Sequence, residues 1–143
     1  MGRMTRRSLT GLALAVIMAV PVGAEVPPMS EDQLSQAADL VVSGRVVAVR
    51  VSQKKWTTTA GNFADANYTV VIDVNSIEKG DIGGHNHQIE FHAWREVKRP
   101  RGLVGDGGTL QTDLKRDDNV KIYLKRGAVA WELFSRSGIS VLH

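Results

Sequence analysis

The run Trp94-Arg95-Glu96-Val97-Lys98-Arg99-Pro100-Arg101-Gly102 sets four cations beside a tryptophan. Trp94, Arg95, Lys98, Arg99 and Arg101 together could hold a sulfated or phosphorylated glycan, or one strand of nucleic acid, by stacking and charge. The same residues also read as a solvated loop whose charges are balanced by Asp106, Asp113, Asp117 and Asp118. His85, His87 and His92 invite a metal reading, since imidazole is a common zinc and copper ligand. On an extended strand, however, His87 and His92 fall on opposite faces, which leaves only His85 and His87 to share an ion, helped by a distant carboxylate or His143. The expectation is solvated turn histidines, no metal and no cofactor. Gly102 to Gly108 lacks the lysine and hydroxyl of a phosphate loop and the acids of a calcium loop, so it reads as a mobile loop. No serine sits in a nucleophile elbow, and without cysteine there is no thiol chemistry. A non-catalytic protein is expected.

Residues 1–24 have the three parts of an export signal. Arg3, Arg6 and Arg7 precede an apolar run from Leu12 to Val20, and Pro21 to Ala24 offers small residues for cleavage. The expected product starts at Glu25, in the periplasm or outside the cell. Thr5-Arg6-Arg7-Ser8-Leu9 also resembles a twin-arginine signal. Of 18 Lys and Arg the leader holds three and no acid, so the remainder carries 15 of each sign and is neutral. Neutrality argues against bulk nucleic-acid binding, which needs many uncompensated cations. Residues 25–143 are enough for one domain with its own core, and the absence of cysteine leaves that core to supply the stability.

Ser30-Glu31-Asp32-Gln33 is a capping box, and Leu34, Ala37 and Ala38 give the helix one apolar side to about residue 38. From Leu40 to Val51 the period is that of a strand, but Leu40 and Val42 fall on one face and Val47, Val49 and Val51 on the other. An extra residue at Gly44 would bend the strand and turn both sets toward one core. A second strand runs from Asn67 to Lys79 with Tyr68, Val70, Ile72 and Val74 inward, and a third sets Ile89, Phe91 and Ala93 inward. Residues 96–118 lack apolar periodicity. Val120, Ile122 and Leu124 make a fourth strand, Val129, Trp131 and Leu133 a fifth, and Ile139 and Val141 a short last one. The expected fold is all-β, a five- to six-stranded barrel of the oligonucleotide/oligosaccharide-binding (OB) type with one short N-terminal helix. An immunoglobulin-like sandwich is the alternative.

Ala37-Ala38-Asp39-Leu40-Val41-Val42-Ser43-Gly44-Arg45-Val46, Tyr68 to Ile72, Ile77-Glu78-Lys79-Gly80 and Ile89-Glu90-Phe91 resemble the netrin-like domain, the group that includes tissue inhibitors of metalloproteinases. The resemblance covers roughly residues 35 to 134 and implies an OB-type barrel that binds another protein through its loops. Those inhibitors grip the protease zinc through an N-terminal cysteine held by disulfides. This chain has no cysteine, so that chemistry does not carry over. The chain also resembles small secreted bacterial proteins that pair such a barrel with a Trp-Arg-x-x-Lys-Arg-Pro-x-Gly segment, here Trp94 to Gly102. The expected function is an exported module that binds an extracytoplasmic protein; the alternative is binding of an anionic polysaccharide or nucleic acid through Trp94 to Arg101.

Overall fold

The computed structural model describes residues 27–84, 87–103, 105 and 107–143; the leader lies outside the described residues. One helix, α1 (Glu31–Ala37), precedes six strands: β1 (Leu40–Thr58), β2 (Gly61–Lys79), β3 (Gln88–Lys98), β4 (Asn119–Arg126), β5 (Trp131–Leu133) and β6 (Ile139–Leu142). The sheet closes on itself. β1 pairs with β2 along its length and, over Leu40–Arg45, also with β4. The order β1-β2-β3-β5-β4 therefore returns to β1, and β6 adds to β4. The β3–β5 contact is parallel and the other pairings are antiparallel.

The β-period places Leu40, Val42 and Val46 of β1 on the same interior as Val70, Ile72, Phe91, Val120, Ile122 and Leu124, all fully buried. How β1 turns its two apolar sets inward differs in detail from the expectation. At Gly44 the slack is taken by β2, whose Asn75 is skipped, and β1's own extra residue is Val47, between Val46 and Ala48. Gly44 serves close approach: a Cβ there would land on the Asp73 carbonyl oxygen of β2. Val49 then packs against the core, while Val51 is 55% exposed.

The helix packs on the outside of the β1–β4 seam, with Leu34 and Ala38 against Val41 and Tyr123, the residues whose side chains alternate away from the interior. Its capping box is formed: the Ser30 hydroxyl accepts from the Gln33 amide, and the Gln33 side chain accepts from the Ser30 amide. Lys79 Nζ donates to the Ser35 and Gln36 carbonyls at 2.8 and 3.1 Å, placing a cation at the negative end of the helix. Asp39 accepts from the Arg126 amide at 3.0 Å. A Cβ on Gly80 (φ +84°) would strike the Asp39 carbonyl. The Ala-Asp-Leu and Lys-Gly segments that carry the netrin-like resemblance thus meet at one joint and hold the helix to the sheet.

Three elements depart further from the sequence reading. The first two strands extend well past Val51 and begin well before Asn67, forming a hairpin closed by Thr59-Ala60. The 96–118 connector is a working part of the core. Leu110 is fully buried inside the closed sheet, and the Thr109 and Leu110 amides both donate to the Trp94 carbonyl. Val129 lies outside β5, 93% exposed beside a turn in which the Gly127 amide donates to the Ala130 carbonyl.

Candidate functional site

The Trp94–Arg101 run does not form a single cationic face. Alternation along β3 sends Arg95 to the same side as Ala66, its cross-strand neighbour, under the connector. There Arg95 Nε donates to the Leu110 carbonyl (2.9 Å), Nη1 pairs with Asp113 (3.0 Å), and the guanidinium lies 5.7 Å from the Tyr68 ring centre. Arg95 is a clamp that seats the core plug. Arg99 pairs with Glu96 at 2.8 Å, and both side chains are largely buried. Trp94 is half-buried, and its backbone anchors Thr109 and Leu110. Lys98 and Arg101 are exposed.

What gathers around the exposed pair was missed in the sequence. Beyond Arg50 the side chains of β1 are exposed through Thr58, and the β1–β2 hairpin extends from the core as an arm that β3 flanks as far as the Ala64–Lys98 pair, with Ala64 and Ala66 buried; only the tip beyond that pair is two-stranded. Trp56 and Phe63 are cross-strand partners on this arm. Their rings stack, with centres 5.3 Å apart and planes 5° from parallel. Lys54 Nζ and the Arg99 guanidinium each lie 6.0 Å from a ring centre, over Trp56 and Phe63 respectively. Pro100 backs the turn: a Cβ on Gly61 (φ +133°) would meet its ring. A hollow of about 330 Å³ opens beside the stack, lined by Lys55, Trp56, Thr57, Asn62, Phe63, Ala64 and Lys98. Thr57 donates to the Asn62 side chain across the strands at 2.8 Å. Near the tip, Lys54, Lys55, Lys98 and Arg101 are exposed, so the surface is aromatic at its centre and cationic around it.

Period-2 alternation failed to show the arm because its β1 side, Val51–Thr58, is exposed throughout, and on the β2 side the buried positions are the small Ala64 and Ala66. The available signal was symmetry about a short turn. Trp56 and Phe63 stand equidistant from Thr59-Ala60, as cross-strand aromatic partners must.

Among the described residues, no three His, Asp or Glu side chains converge as a metal site. His87 is exposed, and His92 lies 3.5 Å from Glu90 on the outer face. His85 is outside the described residues, as are Val104 and Asp106 of the glycine-rich segment. No described helix is long and apolar enough to cross a membrane. A shallower hollow of about 700 Å³ lies at the opposite end of β3, between Ile82, Glu90, Arg126 and Trp131. Arg126 stacks 5.2 Å from the Trp131 ring centre there. Comparison of the chain with protein-family models, with characterised proteins and with solved structures finds no match.

Proposed function

We propose that the chain is an exported, non-catalytic binding module of the OB, netrin-like type, and that it holds a protein partner on the tip of the β1–β2 arm. The barrel reading draws support from the ring order β1-β2-β3-β5-β4-β1, with a long, bent first strand shared by two neighbours. One observation carries the functional part: the β1–β2 hairpin runs on past the last β2–β3 pair, Ala64–Lys98, and presents the Trp56–Phe63 stack at its tip. That tip is a two-stranded ribbon, which is marginal in water and adds little to the fold. Rigid, exposed aromatics such as Trp56 are enriched at interface hot spots.

A second reading, an anionic polymer as ligand, is favoured by the exposed Lys54, Lys55, Lys98 and Arg101 near the same tip. Affinity capture from the native extracytoplasmic fraction at rising salt separates the two. Protein captured at low and high salt, and lost with Trp56→Ala/Phe63→Ala, supports the first reading. Retention on heparin that falls steeply with salt, with no protein captured, replaces it with the second.

A further inference from the structure

The arm has one edge without a neighbour. β4 covers β1 only over Leu40–Arg45, and the Val46 backbone still bonds to Asp117 and Asp118 of the connector. From Val47 to Thr58, β1 hydrogen-bonds to β2 alone, and among the described residues no other backbone group reaches it. In an antiparallel pair every second residue turns its N–H and C=O away from the partner, so this edge offers an alternating row of donors and acceptors. Its charge is one-sided. Arg50 is taken by Glu90 at 3.1 Å, but Lys54 and Lys55 are exposed on opposite faces, and Asp65 is the sole acid on the facing length of β2 from Gly61 to Val70.

We infer that the open edge of β1 from Val47 to Thr58 takes up an extended, acidic segment of the partner protein as an added strand. This deepens the protein-binding reading and rests on it. Main-chain hydrogen bonds supply the affinity in such an addition, and side chains select the sequence. A second copy of the chain is the worse occupant, because antiparallel self-pairing sets Lys54 and Lys55 against a like-charged edge. Lysines guard an edge against self-association. The same lysines draw in a strand bearing Glu or Asp, whichever face it turns to them.

The test uses the purified protein and a capped ten-residue peptide alternating Glu with Val. Backbone amide exchange is followed by NMR, alongside a Lys-for-Glu twin and two twins N-methylated at odd or at even positions. The inference expects new protection within Val47–Thr58, affinity for the Lys twin lower by about tenfold or more, and loss of binding with one methylated set but not the other. Equal binding of the Glu and Lys peptides, or of both methylated twins and the parent, overturns it. So does a peptide-free dimer that already protects these amides. If arm-dependent capture of a protein persists while the peptides fail, strand addition falls and the protein-binding reading stands; if capture fails as well, both fall.

Discussion

Replacing Arg95 with Met separates a structural cation from a ligand-binding one. Arg95 donates to the Leu110 carbonyl, and that bond from a charged donor is worth about 1.5–3 kcal/mol. The pair with Asp113, whose side chain is 84% exposed, adds at most about 0.5 kcal/mol. Against this, Met keeps much of the apolar stem over Tyr68, and it removes a buried nitrogen, Nη2, that has no hydrogen-bond partner, which recovers about 1 kcal/mol. The net expectation is a loss of about 2 kcal/mol, or roughly 6–12 °C in Tm for a domain of this size. Arg101→Ser, at an exposed position, should stay within about 0.5 kcal/mol. Urea denaturation and thermal melts followed by circular dichroism measure both. An Arg95→Met protein of unchanged stability that loses retention on an anionic column would mean that the guanidinium serves a ligand and not the connector.

Three further outcomes follow from the packing and the charge. Leu110→Ala should cost about 3 kcal/mol by equilibrium unfolding, since the side chain is fully buried in the core; a loss below about 0.5 kcal/mol would make the connector a surface loop after all. Gly44→Ala should cost about 2 kcal/mol or more, or prevent folding, because the methyl meets the Asp73 carbonyl. Lys121 is raised above its ordinary 10.5, chiefly by its hydrogen bond to Glu78. A raised pKa in the folded state contributes stability in full below 10.5 and loses it as pH climbs through the higher, folded value. Glu78→Gln should therefore be less stable by under about 1 kcal/mol near neutrality, and unfolding curves taken at successively alkaline pH should converge with those of the unaltered protein.

The interior was readable from the chain because burial on one side enforces alternation. Val70/Ile72, Ile89/Phe91/Ala93 and Val120/Ile122/Leu124 all point as their spacing required. The capping box at Ser30 was equally legible, being local chemistry. The candidate site was not. Charge density in Trp94–Arg101 drew attention to residues of which Arg95 is committed to Leu110 and Arg99 to Glu96, and commitment of this kind depends on contacts 15 residues away in one case and on burial in the other. Leu110 was hidden because a single plug residue has no period. The arm was hidden because its β1 side is exposed on both faces and the buried face of β2 continues there only through the small Ala64 and Ala66, although the placement of Trp56 and Phe63 about their turn recorded the hairpin.

Site-specific photocrosslinking in living cells shows which end of the molecule meets a protein, with a benzophenone amino acid placed at Thr57 on the arm or at Val129 beside the opposite hollow. Protein binding at the arm tip predicts a discrete adduct from position 57, abolished by Trp56→Ala/Phe63→Ala, and none from position 129. An adduct from position 129 with position 57 silent would contradict it.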